Sequence, residues 1–413
     1  MNINRFALNY YLMYGHMPRG QTIIEGGIRE YDRDWNYIFT EDITNESQAK
    51  QKILEQLNKS IREKVKGKKV GAFLSGGLDS STVVALASKH TDITSFSVKF
   101  DKEDFDETDK AKIVADRFSK EHHVFELTAE KIRELIPELV DVYGPFGDTS
   151  MIPTYFAFKE AKKFNLDLFL MGDGGDETLG GYNSYKHYSI ISYQQLLPRF
   201  VSSLIHPFSY AFGTKANTFF EIGTLPWNQR YGRLMSRLSK EEFRLLIGEK
   251  PNRYYEEYVR DIFESNFISE AQRIDLGHYL PDDGIVKVET AAKAIGINTY
   301  SPFIEDDFIK LACKIHPKLK IQKRYGKYLL RRAMEGILPR VIIYQDKQGF
   351  GVPLKHYFKN ELRDLVDKWV FDYKQDFFET EWLKSIMDKE WEKDYSKLIW
   401  SMMIFNMWYE KNK

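Results

Sequence analysis

The sequence predicts an α/β protein in which a doubly wound parallel sheet is followed by an extensive helical region. Three observations predict it. Apolar runs at Val70 to Leu74, Ile93 to Phe100 and Asp167 to Met171 suit buried strands and are too short for helices. Segments with apolar residues at helical spacing separate them, as in βαβ units. Glycine-rich loops directly follow the first and last of these runs, and ligands of such sheets bind at the carboxyl ends of the strands.

Taken in order, residues 1–45 form a leader in which Gly15, Pro18, Gly20 and Gly26-Gly27 make turns the expected structure. From Glu46 to Lys66, Ala49, Ile53, Leu57, Ile61 and Val65 recur at helical spacing. The strand at Val70 follows, then the alternating Ile93 to Phe100, a helix from Asp106-Glu107 through Phe118, and a short strand at Val124-Phe125. Helices at Ala129 to Val142 and Pro153 to Phe164 lead to the strand at Asp167 to Met171. Residues 183–272 read as helical and aromatic, with no repeat or low-complexity tract. Beyond them come Leu280-Pro281-Asp282-Asp283, a helix from Ile285 to Ala294, and Ser301 to Asp306. Lys327, Arg331 and Arg332 then fall on a largely basic helical face that Leu338-Pro339 ends.

Composition narrows the class. With 60 basic and 60 acidic residues the net charge is zero, which gives no basic field for nucleic acid or acidic membranes. The single cysteine, Cys313, excludes a disulfide framework and a cysteine-rich zinc site, and fits a reducing cytoplasm. The N-terminus lacks the apolar core of a signal peptide. The most apolar stretch, Phe200 to Phe212, contains His206 and Pro207, is too short for a transmembrane segment, and reads as core in preference to a membrane dock.

The stretch with the most chemistry is Ser75-Gly76-Gly77-Leu78-Asp79-Ser80-Ser81. It joins a strand to a helix that Ser80 or Ser81 is suited to cap. Such a turn directs backbone N–H groups toward phosphate, two glycines permit close approach, and the hydroxyls add donors. Asp79 would repel phosphate unless a divalent cation lay between them, so the loop predicts magnesium. No Walker lysine is present, and alone the heptad also suits an ordinary strand-to-helix turn. Gly172-Asp173-Gly174-Gly175-Asp176-Glu177-Thr178-Leu179-Gly180-Gly181-Tyr182 is the second such stretch, a poor helix or strand but a good metal and phosphate loop, with a solvated acidic turn as the alternative. A third glycine loop, Gly349 to Pro353, carries Lys347 at its entrance. His122-His123 lie on opposite faces of a strand and read as structural.

The first loop resembles the pyrophosphate-binding loop of the ATP pyrophosphatase superfamily. The stretches together, in this order, resemble the synthetase domain of the asparagine synthetase family, which includes β-lactam synthetase. The match runs from about residue 47 to 410 and rests on SGGLDSS, Ser97-Val98, Phe105-Asp106-Glu107, Glu121-His122-His123, Asp148 with Ser150 to Tyr155, GDGGDETLGGY, LPDD, SPFIED, Lys327 with Leu330-Arg331, LPRVIIYQDKQGF and Leu398 to Trp408. The resemblance implies a fold of the ATP pyrophosphatase type and an AMP-forming carbon-nitrogen ligase that adenylates a small-molecule carboxylate and transfers it to ammonia or an amine.

Carried over, Leu74, Ser75, Gly76, Gly77, Asp79, Ser80 and Ser81 hold the triphosphate of ATP, and Val98 and Gly172 contact the nucleotide. Asp79 and Asp176 ligate Mg2+, Lys327 faces the phosphates, and Lys347 stabilises charge in the transition states. Asp173 falls where ammonia-using members carry an acid that handles the amine's proton. Glu289 is either a general base or a helix-surface acid. The chain divides into 1–45, a leader resembling the tail of a glutaminase domain, and 46–413, with a nucleotide-binding part at 46–182 and a mostly helical substrate-side part at 183–413. The leader is a strap packed on the sheet or a docking surface for a separate glutaminase subunit, the strap being favoured.

Departures concentrate on the substrate side. Residue 2 is Asn2, not the family's nucleophilic cysteine, so ammonia, a separate glutaminase or another amine is the expected nitrogen source. A family Glu-x-Arg reads Asn298-Thr299-Tyr300, an Asp-Arg reads Glu289-Thr290, an acidic-proline element reads Tyr143-Gly144-Pro145, and the Arg-Pro before Lys347 reads Gln345-Asp346. Asparagine formation from aspartate is the leading reaction. The same chemistry on a uronic acid sugar, a cyclising peptide or a natural-product acid, and a degenerate nucleotide-binding subunit, are the alternatives.

Overall fold

The structure, a computed structural model, describes residues 1–102, 106–192, 197–259, 267–322, 325–346, 351–387 and 393–413. Phe105 and Lys347 therefore lie outside the described residues. Five parallel strands form the sheet: β1 (Val70–Phe73), β2 (Ile93–Phe100), β3 (Glu121–Leu127), β4 (Leu168–Leu170) and β5 (Thr299–Tyr300), in the order β3-β2-β1-β4-β5. The first four are the expected ones, with β3 longer than Val124-Phe125 because it pairs with β2 from Thr94↔Glu121 to Phe100↔Leu127. The two-residue β5 is too short to leave a periodic signal.

The chain builds outward from β1 to β2 and β3, then returns to the other side of β1 for β4 and β5. The reversal falls between β1 and β4, whose carboxyl ends carry the two glycine loops. A crevice opens at such a switch point. Alternate residues of each strand feed opposite cores. Val70, Ala72, Leu168 and Leu170 pack with Ile53, Leu57 and Ile61 of the helix Glu46–Val65. Phe96, Phe169 and Met171 pack on the other face with Leu139, Tyr155 and Phe158.

Turns do not dominate the leader's start. Arg5–Tyr14 is a helix, N-capped by Asn4 and ended by Gly15 at φ 94°, with eight of its ten residues buried. The run FALNYYLMY is apolar nearly all round, as a buried helix requires, and the glycines and prolines act only after it. The helix joins the core on the Phe96 and Phe169 face of the sheet and is bonded to later helices. Tyr11 donates to the Ser401 carbonyl of the closing helix Ser396–Asn412 at 2.9 Å, and Tyr14 to the Gly232 carbonyl at 3.0 Å. Farther along, Trp35, Tyr37 and Phe39 pack with Leu276, Leu280 and Ile309.

Two helix ends differ from expectation. Leu338-Pro339 does not end the basic helix, which spans Tyr328–Met334; Pro339 instead caps the next one, Arg340–Ile343. Nor is the face uniformly basic surface, since Lys327 and Arg331 are buried. The LPDD segment is part of a continuous helix that widens to π geometry over Asp275–Gly284, a register that tolerates Pro281 and often marks a functional site. The stretch Phe200 to Phe212, expected in the core, lies on the surface: Phe200, Leu204, Phe208 and Phe212 are all exposed. Among the described residues no helix is long and apolar enough to cross a membrane.

Candidate active site

The first loop leaves β1 at Leu74, whose N–H donates to the Phe96 carbonyl at 2.8 Å and whose carbonyl accepts from the Ser97 hydroxyl. Gly76 turns the chain at φ 79°; a Cβ there would sit 2.8 Å from the Ala111 nitrogen, so the close packing on the helix Thr108–Phe118 needs glycine. The next helix, Leu78–Ala87, begins earlier than the serine cap predicted. Gly77 is its N-cap and no side chain covers it. Ser80 folds back into the loop: its Oγ accepts from the Ser75 N–H at 3.2 Å and lies 3.0 Å from Ser75 Oγ. The serines thus shape the loop, and the helix start is left without a side-chain acceptor that would compete with an anion.

The second loop leaves β4 and turns into the short helix Gly175–Leu179. Ser301, just past β5, donates to the Asp173 carbonyl at 2.6 Å, and Thr178 donates to the Gly174 carbonyl at 2.6 Å. Tyr182 donates to Glu177 at 2.7 Å. Asp79 and Asp176 face each other from the two loops, and the Lys327 ammonium sits between them, bonded to Asp79 and 2.6 Å from Asp176 Oδ1. A Cβ at Gly181 would lie 1.8 Å from that Asp176 oxygen, so the approach depends on the glycine. Burial alone would lower the Lys327 pKa, but Asp176 and Asp79 outweigh it and hold the ammonium above its ordinary range. Lys327 itself has φ 53°, an unusual conformation for a side-chain-bearing residue that aims it into the cleft.

Two carboxylates converging on one buried point are hard oxygen donors of the kind magnesium takes. Among the described residues no third His, Cys, Asp or Glu joins them, which leaves water and phosphate oxygens as the remaining ligands. The donor set fits the cation, whose place is held here by a lysine charge.

The cleft between the loops has a volume of about 380 Å³. Ser75, Gly77, Asp79, Ser80, Gly172, Asp173, Asp176 and Lys327 all line it. Leu74, Gly76, Ser81 and Val98 do not. Leu74 and Val98 are buried along the strands, Gly76 faces the Thr108–Phe118 helix, and Ser81 is buried one turn into its own helix.

Sequence reasoning missed the far end of the cleft. Lys287, buried in the helix Ile285–Ile295, places its ammonium 3.4 Å from Asp173 and 3.8 Å from Asp148. Burial works against this charge, but Asp173, Asp148 and Asp283 raise its pKa. Burial would raise the Asp148 pKa, yet Lys287 and the Ser150 hydroxyl, at 2.6 Å, keep it below the usual carboxylate range. Burial and the neighbouring Asp148 charge push Asp283 well above that range. The two carboxyls are thus pushed in opposite directions by their surroundings. A lysine sharing a helix face with Gly284 and Ala291, within an otherwise apolar stripe, was the signal for Lys287.

Glu289 is two positions on and points elsewhere. It is exposed, near Arg29, Asp32 and Arg33, and does not line the cleft, a position that suits the helix-surface reading better than the general base. Glu289→Gln is accordingly expected to change pyrophosphate release by less than roughly twofold; a fall beyond tenfold would return it to the chemistry.

Nor do Asn298 and Tyr300 border the cleft, as a changed substrate pocket there would require. Asn298 is exposed at the start of β5 and donates to the Asp167 carbonyl at 3.3 Å, while Tyr300 is buried with the Lys64 ammonium 5.0 Å above its ring. Two other departures are props of the cleft. Tyr143 donates to the Lys287 carbonyl at 2.8 Å, and Gln345 donates to the Gly76 carbonyl at 2.7 Å. Arg331 spans from the Gly326 carbonyl at 2.9 Å to the Gln345 carbonyl at 3.1 Å, tying the turn before Lys327 to the segment before Lys347. His122 pairs with Ser95 at 2.8 Å and His123 stacks on Phe96, both away from the cleft.

A parallel sheet with a serine-glycine loop and an acid-glycine loop flanking its switch point defines an α/β protein of the ATP pyrophosphatase type. The family profile described as asparagine synthase matches residues 52–410, and the chain belongs to that family. It is similar to asparagine synthetase [glutamine-hydrolyzing] 1 of Bacillus subtilis (strain 168), 27% identical over 445 residues that cover 100% of this chain and 70% of the relative. A putative asparagine synthetase of Mycobacterium bovis is 27% identical over 353 residues, covering 82% of this chain and 54% of its own length. A putative asparagine synthetase of Methanocaldococcus jannaschii is 35% identical over 222 residues, covering 48% and 42%. The chain thus spans about half the length of the last two.

Proposed function

We propose that this chain is an ATP-dependent amide ligase of the asparagine synthetase type, which forms an acyl-adenylate and transfers the acyl group to ammonia or an amine. The observation that carries the reading is a cleft with two unlike ends. One end joins the Ser75–Ser80 loop to Asp79, Asp176 and Lys327; the other joins Asp148, Asp173 and Lys287, with Asp283 buried behind them. The first suits a triphosphate and the second a small polar substrate.

In the first step a carboxylate oxygen attacks the α-phosphorus; an O–P bond forms, the bond to the β-phosphate breaks, and pyrophosphate leaves. In the second the amine attacks the acyl carbon, a C–N bond forms and AMP departs with the former carboxylate oxygen. The loop N–H groups and the Ser75 and Ser80 hydroxyls hold phosphate oxygens, and Lys327 supplies a positive charge at a buried point. Magnesium, held by Asp79 and Asp176, would neutralise phosphate charge. In this reading Asp173, at the boundary of the two ends, would take the proton the amine gives up, with Lys287 orienting it. Lys287 and Lys397 are the cations in the cleft lining that suit an acyl substrate's second carboxylate, and aspartate is the leading candidate.

Pyrophosphate release from magnesium ATP is the test, with aspartate and ammonium, with glutamine in place of ammonium, and with a panel of other carboxylates. Release with aspartate and ammonium, accompanied by AMP and asparagine, is the expected result. Release only with another acid would replace aspartate as the substrate. No release with any acid would leave a nucleotide-binding subunit in place of the ligase.

A further inference from the structure

The helix Arg199–Ser209 is built inside out. Its buried positions include Ser202 and Ser209, 1% and 0% exposed, whereas Phe200, Leu204 and Phe208 are 65%, 67% and 71% exposed. Spacing of four places the three on one stripe, and the turn that follows extends it with Phe212, 77% exposed. Ser209 fixes the element: its hydroxyl donates to the His206 carbonyl and lies 3.0 Å from the Asn217 side-chain amide in the helix Thr214–Gly223. Arg199 anchors the other end, donating to the Thr224 carbonyl at 3.0 and 3.2 Å. The apolar stripe is thus held outward by specific bonds, and four large apolar side chains in one exposed row need a partner.

Charge identifies the partner. Residues 178–220 contain no aspartate or glutamate, although an even spread of the chain's 60 acids would put about six there. Of the cations in the stretch, Arg199 and Lys215 are exposed at the two ends of the apolar row, whereas Lys186 lies toward Arg331 and Asp346. The acids that bound the stretch are turned inward: Glu177 accepts from Tyr182, and Glu221 pairs with buried Arg233 at 2.7 Å. Overall neutrality conceals a local surface that is apolar along one face and positive at its edges. Two copies of this face would bring like charges together, whereas an anionic bilayer presents headgroups to the cations and acyl chains to the stripe.

We propose that the Arg199–Phe212 segment is an interfacial element that lies on a membrane surface carrying anionic lipid, without crossing it. The helix is about 16 Å long at 1.5 Å per residue, enough to seat one stripe at the headgroup boundary and too short to span.

Vesicle sedimentation tests this, with phosphatidylcholine alone and phosphatidylcholine containing about one-third phosphatidylglycerol, at about 0.15 M salt. The whole chain is expected to partition at least about tenfold more to the anionic vesicles. Phe200→Ser, Leu204→Ser and Phe208→Ser together are expected to reduce that binding about tenfold or more, while circular dichroism and pyrophosphate release in solution stay unchanged. Arg199→Glu with Lys215→Glu should abolish the preference for anionic lipid. Absence of binding, equal binding to both vesicles, or binding that survives the triple substitution would each overturn the proposal. So would a dimer in solution that the triple substitution dissolves in the absence of vesicle binding, which would assign the stripe to a second copy.

Discussion

Lys327→Met is expected to lower the stability of the ligand-free protein by about 3–5 kcal/mol at neutral pH, and magnesium is expected to restore part of it. The lysine is the shared partner of Asp79 and Asp176, and the side chains of all three are at most 16% exposed. Methionine keeps the apolar stem and removes the charge, leaving two buried carboxylates facing each other without a cation. Breaking a buried pair from one side is costly because the remaining charge cannot be rehydrated. The sign with pH follows from the raised lysine pKa. The ammonium contributes fully below the ordinary lysine value and loses its contribution only as pH rises through the higher folded value, so a neutral buffer displays the whole effect.

The rescue distinguishes a cation site from an ordinary ion pair. Magnesium at ten times its dissociation constant would add about 1.4 kcal/mol to a state that binds it. In the wild type the lysine competes for the same two carboxylates, so the gain should be smaller than in the variant. Denaturant unfolding of both proteins, with and without magnesium, measures the difference. Equal gains in the two proteins would remove Asp79 and Asp176 from the metal site, and an unaltered stability for the variant would remove the lysine bridge.

The parts of this site that sequence reasoning reached are the ones encoded locally. A short apolar run followed by Ser75-Gly76-Gly77 states strand, turn and helix within ten residues, and the same holds for Leu168 through Gly175. The Lys327 bridge is different in kind: Asp79 is 248 positions away, and only the folded sheet sets the two side by side. Lys287 was hidden because the π turn at Asp275–Gly284 changes the angle at which the following helix emerges, so counting at 3.6 residues per turn does not carry its facing across LPDD. Glu289 was taken up instead, two positions and about 200° round the same helix. Phe200 to Phe212 misled for a complementary reason. Apolar content is the same for a core helix and an inverted surface helix, and only the burial of Ser202 and Ser209 tells them apart. The leader's helix was obscured by its neighbours, since Gly15 to Gly27 supply the turn signals while Arg5–Tyr14 precedes them.

Lys347→Ala is expected to lower turnover roughly 10²- to 10³-fold and to leave ATP affinity within about twofold. The residues that flank the lysine in sequence bear on this: Asp346 and Gly351 both line the cleft. Gln345 fastens the approach to the Gly76 carbonyl of the phosphate loop, and Arg331 fastens it to the Gly326 turn that presents Lys327. By the family resemblance, the Lys347 charge would act on phosphate oxygens as the O–P bonds form and break. A cation aimed at developing charge acts on the transition state more than on bound ATP, so the loss should appear in turnover. Lys347→Arg should recover part of the rate, because the charge is kept while its position shifts. Pre-steady-state pyrophosphate release, with nucleotide affinity measured separately on the same protein, is the required pair of measurements. Near-normal turnover in the alanine variant would assign Lys347 to the solvated surface. A parallel loss of turnover and ATP binding would make it a ground-state phosphate contact instead.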